Sequence, residues 1–533
     1  MYDLLIKNGT VVDGTGAPRF QADVAVKDGK IARIAPEIAE EAETVIDARG
    51  LVVAPGFIDT HTHSDGTVFS PETTGYNHLE DGATTELAGQ CGSMAAPYYG
   101  EFDPSHGISK EEYERICESY TSYFAYVDSI PHGANLAFFA GQGPIRGKVM
   151  GFGDGTPDEE QLEQMRSLMR EAMECGCLGF STGLVYTPSV FAGTHELVEI
   201  AKVAHEYGGG YTTHIRGEGN QLKESIEEAL VIGRESGIPV NISHIKVIGR
   251  QNEGNSRDII RYIEENQKAG MTITADQYPF TGGSAPLISQ IPPKYLTAGK
   301  AEGLRCLAES AELRKQAEWS IFHEAHEFES NIYSAGYEGC LIAGAYKTKE
   351  HIGKTLAQLA EEQGKTPFDA CIDLLAANDG IVQGIYFSQN DSDLLNFMSQ
   401  PWVMCGSDWS DYGAVVDREK KYGSHPRAMG TMARRLELIR DNGLWTLEDA
   451  VYRLTGMPSE VYGLPMIGKL KEGLNADITV FDYKNVRANA DYDHPFRKNN
   501  GIEYVIVNGK TAVKNGEFTG VKNGKVLRMK RER

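Results

Sequence analysis

The segment PGFIDTHTHSD, residues 55–65, joins a short apolar run to a cluster of polar side chains. Phe57 and Ile58 predict a buried β-strand, and the histidines His61 and His63 follow directly after it. Residues two apart in a strand point to the same side, so the two imidazoles can share one metal ion. Taken alone, a His-x-His pair is better explained by two ordinary polar histidines. Its position at the end of a buried strand favours a ligand pair.

Seven further apolar, β-rich runs follow this one, and amphipathic helices separate many of them. The predicted strands are residues 57–60, 84–88, 134–140, 178–181, 210–213, 240–243, 271–275 and 402–405. Helical periodicity is clearest at residues 160–174, 195–207, 222–236, 257–268 and 447–454. Eight alternating strand and helix units predict an α/β fold of the (β/α)8 TIM-barrel class.

The last two predicted strands lie much farther apart in the sequence than any other neighbouring pair. We therefore expect an insertion after strand seven, residues 282–390, mainly helical and lying over the mouth of the barrel. A glycine-rich stretch at residues 141–147 lacks the Lys-Ser/Thr pair of a phosphate-binding loop. It is predicted to be a tight loop after strand three.

Both ends of the chain show short β-runs and turn signals, at Asn8-Gly9, Asp28-Gly29 and Asn508-Gly509. Each set of strands is too small to bury a core by itself. The two sets together predict one small β-sandwich domain built from both termini. The predicted domains are residues 1–55 with 465–525, and a barrel of residues 56–464.

The net charge and the distribution of apolar residues argue against nucleic-acid and membrane partners. The formal charge of −23 disfavours nucleic acid as a partner. No run reaches the ~18 apolar residues that a membrane span requires, and the N-terminus lacks the pattern of a signal peptide. We therefore expect a cytoplasmic protein that does not bind membranes, with its eight cysteines reduced. The basic tail, residues 525–533, is expected to be a solvated end.

Polar side chains follow five of the eight predicted strands at their carboxyl ends, where TIM-barrel active sites assemble. Cys91 could simply fill core space, and a single histidine at a strand end is usually structural. Six candidate metal ligands on one face are harder to attribute to chance. They are His61, His63, Cys91, His214, His244 and Asp408.

This pattern resembles the amidohydrolase superfamily, and most closely its N-acyl-D-amino-acid deacylases, the D-aminoacylases. Many binuclear members carry a lysine on strand four, but residues 177–186 of this chain contain none. The D-aminoacylases use a cysteine after strand two, in a motif similar to Gly89-Gln90-Cys91-Gly92. Residues 55–65, 242–246 and 425–427 are also similar, and the resemblance extends over nearly the whole chain.

The resemblance implies a zinc-dependent hydrolase that converts an N-acyl-D-amino acid into a carboxylate and a free D-amino acid. It implies one tight zinc site at Cys91, His214 and His244. His61, His63 and Asp408 would form a second, weaker site that Cys91 can bridge. Asp408 would act as general base and then general acid.

Four further residues are implied to bind the α-carboxylate of this small-molecule substrate. Lys246 lies two residues after His244 and could instead be a solvated rim lysine; Arg216 is an alternative to Arg427. The implied carboxylate-binding residues are Lys246, Tyr278, Ser284 and Arg427.

Two other functions are compatible with the sequence. One is a different hydrolase on the same scaffold, acting on cyclic amides or lactones, or a deaminase. The other is a barrel that has lost its metal and serves as a non-catalytic scaffold, although such a protein should show a broken ligand set. Selectivity for the D-enantiomer is implied by the resemblance alone.

Overall fold

A computed structural model describes residues 1–70, 75–104, 107–410 and 417–529. Its centre is a barrel of eight parallel strands, numbered one to eight here in chain order; strand three is in two pieces. They are Phe57–Asp59, Ala83–Ala88, Asn135–Phe138 with Ala140–Gly141, Gly179–Gly183, Gly210–His214, Val240–Ile242, Ile273–Gln277 and Val403–Cys405. All eight predicted strands are confirmed, with their ends shifted by at most two residues. The predicted TIM-barrel class is correct.

The barrel closes between strands eight and one. Neighbouring strands pair in parallel from strand one to strand eight. The Thr60 amide then donates to the Cys405 carbonyl over 3.2 Å, and the Asp408 amide donates to the His61 carbonyl over 2.8 Å. Closure therefore brings the His-x-His segment beside the end of strand eight.

Helices surround the barrel. All five helices expected from periodicity are confirmed within one residue at each end. The helices outside the strand-seven insertion are Ser64–Thr67, Tyr76–Glu80, Lys110–Ile116, Tyr120–Ser129, Gln142–Met150, Glu159–Glu174, Thr194–Glu206, Leu222–Ser236, Ser256–Lys268, Asp391–Met398, Arg427–Asn442, Leu447–Leu454 and Gly456–Val461.

The helix Gln142–Met150 replaces the loop predicted at residues 141–147, so that prediction is wrong. The glycines there serve close packing. A Cβ on Gly141 would lie 2.7 Å from the Ser93 carbonyl carbon, and one on Gly143 would lie 2.8 Å from the Gly92 oxygen. The glycines let this helix pack against the segment that follows Cys91.

Strands from both termini form one nine-stranded sheet. They are Tyr2–Val11, Phe20–Lys27, Lys30–Ala35, Ala42–Asp47, Val52–Pro55, Ile478–Phe481, Ile502–Val507, Lys510–Lys514 and Glu517–Phe518. The two sets join where Val52–Pro55 pairs antiparallel with Ile478–Phe481. Side chains from both sets share one apolar cluster, so the strands of the two termini pack together.

The turn predicted at Asn8-Gly9 is wrong. Tyr2–Val11 is one strand whose register shifts between Ile6 and Gly9. Asn8 adopts φ 61°, and a Cβ on Gly9 would lie 2.4 Å from Val53 Cγ2. A β-bulge uses the same left-handed asparagine and small glycine as a tight turn, so the dipeptide alone does not separate the two.

The insertion after strand seven combines helices with a three-stranded antiparallel sheet, where the sequence predicted mainly helix. The strands are Gly283–Pro286, Cys340–Ala345 and Val382–Tyr386, and the helices are Lys300–Glu309, Ala311–His323, Asn331–Ala335, Leu356–Gln363 and Pro367–Ala377. The insertion has an apolar cluster of its own. The insertion therefore has a core of its own.

The described part of the basic tail is not a free end. The Leu136 amide donates to the Lys525 carbonyl over 3.0 Å, and the Leu527 amide donates to the Leu136 carbonyl over 2.7 Å. The tail thus pairs with barrel strand three, whereas we predicted a solvated end; residues 530–533 lie outside the described residues. No described helix has both the length and the apolar character needed to cross a membrane.

Candidate metal centre

The six predicted ligands lie at the carboxyl ends of five barrel strands. Three of them have a left-handed backbone: φ is 53° at Cys91, 36° at His244 and 54° at Asp408. For residues other than glycine this conformation costs on the order of 1–3 kcal/mol each, and such residues cluster at functional sites. The backbone strain favours a functional role for Cys91 over simple core filling.

The Cys91 sulfur is the common neighbour of three imidazoles. Its Sγ lies 3.3 Å from His61 Nε2 and 3.3 Å from His244 Nε2. His214 Nδ1 lies 3.7 Å from the same sulfur. The ligand atoms of His61, Cys91, His244 and Asp408 all lie within 4.8 Å of one another. A thiolate, imidazoles and a carboxylate at this spacing fit a zinc ion.

Asp408 connects this cluster to a cationic side chain. Its Oδ1 lies 3.0 Å from His63 Nε2 and 3.5 Å from His61 Nε2. Its Oδ2 lies 2.8 Å from Arg427 Nη1. One carboxylate oxygen therefore faces the candidate ligands while the other is held by the guanidinium.

The charges of these groups favour metal binding. Burial opposes ionisation of the Cys91 thiol, but the imidazoles of His61 and His244 outweigh it and hold the pKa well below that of an ordinary cysteine. Burial likewise opposes ionisation of Asp408. The Arg427 guanidinium and the imidazole of His244 nevertheless keep the pKa of Asp408 well below its usual value. Both side chains are therefore present as the anions that a cation requires.

Glu218 is a site residue that the sequence analysis missed. Its Oε1 lies 3.0 Å from His244 Nδ1 and 2.5 Å from Lys246 Nζ. Burial opposes its ionisation, but Lys246 and the two neighbouring histidines lower the pKa of the Glu218 carboxyl. The insertion fixes this segment, because the Glu329 carboxylate accepts the amides of Glu218 and Gly219 over 2.6 and 2.7 Å. Glu218 lies four residues after His214, and this spacing is the feature of the sequence that could have identified it as part of the site.

Asp276, at the end of strand seven, was also missed as a site residue. Its Oδ1 lies 3.1 Å from His61 Nδ1 and accepts the His244 amide over 2.8 Å. The Asn241 side-chain amide donates to Oδ2 over 2.6 Å. This fully buried carboxylate therefore fixes one candidate ligand by its ring and another by its backbone.

The four predicted carboxylate-binding residues lie in one neighbourhood. The centroid of the Tyr278 ring is 5.5 Å from Lys246 Nζ and 4.7 Å from the Arg427 guanidinium carbon. Arg427 Nη2 donates to the Ser284 carbonyl over 3.3 Å. The Ser284 hydroxyl itself donates to the Gly384 carbonyl over 2.8 Å. The cluster combines two cations, a phenol and a hydroxyl.

Arg216, the alternative to Arg427, is held elsewhere. Its Nε lies 2.9 Å from Glu228 Oε2, and its guanidinium also donates to the carbonyls of Val190 and Ala192. These contacts anchor the loop after strand four. They favour a structural role for Arg216, packed at the rim of the barrel, over a role in binding the substrate carboxylate.

A cavity of about 600 Å³ opens onto the candidate ligands. Its walls include His63, Cys91 and Asp408, and also Ser284 and Arg427. Lys246 and Tyr278 are buried beside Arg427 and do not line it. The size is that of a small-molecule site, which ranges over roughly 300–1,000 Å³.

Comparison with known proteins identifies the family. The model of the amidohydrolase family matches residues 44–291 and 352–513. The chain belongs to the amidohydrolase family. The unmatched residues between the two segments fall within the strand-seven insertion, and the family is metal-dependent, in agreement with the ligand cluster.

Its relatives include several deacylases. The chain is 32% identical to a D-aminoacylase of Alcaligenes xylosoxydans xylosoxydans, over 99% of this chain and 97% of the relative. It is 30% identical to an N-acyl-D-glutamate deacylase of the same organism, over 95% of this chain and 93% of the relative. These matches confirm the predicted resemblance to D-aminoacylases.

A solved structure supports the same relationship. The N-acyl-D-glutamate deacylase of Bordetella bronchiseptica, complexed with zinc and a phosphonate mimic of the tetrahedral intermediate, aligns with a TM-score of 0.81. It is 30% identical, and the alignment covers 99% of each chain.

Proposed function

We propose that this protein is a zinc-dependent N-acyl-D-amino-acid deacylase, which hydrolyses the amide bond to release a carboxylate and a free D-amino acid. The observation that carries the proposal is the Cys91 sulfur, 3.3 to 3.7 Å from His61, His214 and His244. Strand four, Gly179–Gly183, contains no lysine to take its place. The deacylases among the relatives supply the substrate class.

The donor atoms suggest how zinc would be held. Cys91, His214 and His244 would form the tighter site, because they combine a thiolate with two imidazoles. His61, His63 and Asp408 would form a weaker second site next to it. Glu218 and Asp276 would act as positioning residues, by accepting from the ring nitrogens of His244 and His61 that point away from Cys91.

Asp408 is the residue that we propose to move the proton. A zinc ion, when bound, would supply Lewis acidity that activates a water and polarises the amide carbonyl. Asp408 presents an ionised oxygen, Oδ1, towards the candidate ligands, where it can accept a proton from the attacking water. The same carboxyl group can then deliver that proton to the departing amine. Arg427 holds Oδ2 and fixes the orientation of Asp408.

Lys246, Tyr278, Ser284 and Arg427 are proposed to bind the α-carboxylate of the substrate. Lys246 Nζ already lies 2.5 Å from Glu218 Oε1 and 2.7 Å from His244 Nδ1, but an ammonium has three donors and can turn one of them to a second anion. The Ser284 hydroxyl must give up its hydrogen bond to the Gly384 carbonyl before it can donate to the substrate carboxylate. Arg427 already lines the cavity and can bridge Asp408 and the substrate.

A substrate panel separates this function from its rivals. The purified protein with zinc should be assayed on N-acetyl-D-amino acids, on a cyclic amide such as dihydrouracil, and on a simple lactone. We expect release of free amino acid from the first group and little turnover of the others. Preferred hydrolysis of the cyclic amide or the lactone would overturn the proposal. No turnover at all in zinc-loaded protein would instead support a non-catalytic barrel.

A further inference from the structure

The hydroxyl of Tyr278 has one hydrogen-bond partner among the described residues, and that partner is a donor. The Gln389 side-chain amide donates to Tyr278 Oη over 3.1 Å. The neighbouring cations, Lys246 and Arg427, lie over the ring and carry donors only. Burial raises the pKa of the Tyr278 hydroxyl, so the proton stays on the oxygen. This proton is therefore available for a bound acceptor.

Ser284 provides the other hydroxyl of the proposed carboxylate site, and a second glutamine donates to it. The Gln383 side-chain amide donates to Ser284 Oγ over 2.9 Å, and Ser284 in turn donates to the Gly384 carbonyl. The Ser284 oxygen therefore already accepts a hydrogen bond, and its proton is the group that it can offer to a ligand. Both Ser284 and Gln383 line the cavity.

The backbone fixes Gln389 at the point where the insertion returns to the barrel. The Gly249 amide, in the loop after strand six, donates to the Ser388 carbonyl over 2.8 Å. On the other side, the Asn390 side chain caps the helix Asp391–Met398. Gln389 lies between these two anchors, so its amide reaches the tyrosine from a segment that is held on both sides.

We propose that the two glutamines are positioning residues for the α-carboxylate of the substrate. Gln389 fixes the Tyr278 hydroxyl as a donor to the carboxylate. Gln383 does the same for the Ser284 hydroxyl. A hydroxyl can present either its proton or a lone pair to a ligand, and a partner that donates to its oxygen leaves the proton for the ligand. Because the donors are oriented before the substrate arrives, less free energy is lost in ordering them on binding.

A double-mutant cycle tests the role of Gln389. Gln389→Met keeps the length of the side chain but cannot donate a hydrogen bond. On N-acetyl-D-leucine, with zinc content unchanged, we expect KM to rise about three- to tenfold and kcat to change less than about twofold, as for the loss of one neutral hydrogen bond. In a Tyr278→Phe background the same substitution should change KM by less than about twofold, because the hydroxyl that it orients is absent.

A second cycle makes the test independent of the folding of any one variant. Gln383→Met, made alone and with Ser284→Ala, should show the same dependence on the hydroxyl. The unfolding midpoint of each variant should be measured beside KM. Equal changes in KM with and without the hydroxyl, in both cycles, would overturn the inference.

The matched control is Gln267→Met. Gln267 is half-buried and donates to the Ile273 carbonyl over 2.8 Å, at the amino end of strand seven, and it does not line the cavity. This control should leave KM unchanged. A rise in KM equal to that in Gln389→Met would mean that loss of any such glutamine disturbs the site, and would contradict the positioning role.

This inference rests on the proposed function, and the wild-type protein separates the two. Hydrolysis of N-acetyl-D-leucine by the wild type, with cycles that show no dependence on the hydroxyls, would overturn the inference and leave the deacylase function standing. No hydrolysis of any N-acetyl-D-amino acid by the zinc-loaded wild type would remove the function, and the inference with it.

Discussion

The carboxylate of Glu218 lies 3.0 Å from His244 Nδ1, on the side of the imidazole opposite Cys91. The same oxygen is 2.5 Å from Lys246 Nζ. One acidic side chain thus contacts a candidate zinc ligand and a candidate substrate-binding residue. Glu218 therefore links the candidate metal site to the proposed binding site for the substrate carboxylate, through direct contacts with both.

Glu218→Gln should weaken zinc binding without unfolding the protein. The amide cannot accept the His244 ring proton as an anion does, so we expect zinc affinity to fall roughly 10- to 100-fold. A competition titration against a chelator measures this directly. Glu228→Gln, which removes the partner of Arg216, is the control and should retain its zinc. Unchanged zinc affinity in Glu218→Gln would contradict the positioning role.

Cys91→Ala should lose most of the bound zinc, because it removes the only thiolate of the cluster. Cys371→Ala is a matched control: Cys371 is fully buried in the apolar core of the insertion. Metal analysis and the unfolding midpoint should be measured for both. We expect Cys371→Ala to keep its zinc although it loses some stability. Full zinc occupancy in Cys91→Ala would show that the sulfur is not a ligand.

Asp408→Asn should keep zinc in the tighter site and lose nearly all turnover. The amide has the size of the carboxylate but cannot accept a proton at neutral pH, so kcat should fall roughly 10²–10⁴-fold. Zinc content and kcat on N-acetyl-D-leucine are the two readouts. A loss of less than tenfold would assign proton transfer to another group.

Lys246→Ala should reduce binding of the α-carboxylate. A charge-assisted hydrogen bond contributes roughly 1.5–3 kcal/mol, so kcat/KM should fall about ten- to a hundredfold. The defect should nearly vanish on a substrate whose α-carboxylate is replaced by a neutral amide. Equal defects on both substrates, together with lost zinc, would mean that Lys246 acts through Glu218 on the metal site instead.

The barrel strands, and the polar residues at their carboxyl ends that are the candidate ligands, could be predicted from the sequence because both depend on short-range patterns. A buried strand is visible as an apolar run, and its carboxyl end is visible as the polar residue that follows, as at His214. Long-range contacts leave no such pattern. Glu218 takes part in the site only because the chain after strand five bends back to strand six, where His244 lies.

Ambiguous local chemistry explains the wrong predictions. Asn8-Gly9 suits both a turn and a β-bulge, and the pairing of Tyr2–Val11 with its neighbours decides between them. The glycines at residues 141–147 suggested a loop, yet they are needed where a helix packs on Gly92 and Ser93. The walls of the cavity come from loops and the insertion, whose packing the sequence did not predict.

Zinc-dependent release of a free amino acid from N-acetyl-D-leucine, compared with its L-enantiomer, tests the central claim most directly. The protein should be stripped with a chelator, assayed, and assayed again as zinc is restored in steps, with bound metal measured at each step. The account predicts that activity on the D-substrate is lost with the metal and returns as the first zinc binds, while the L-substrate stays a poor one. Full activity in the metal-free protein, or a preference for the L-enantiomer, would contradict it.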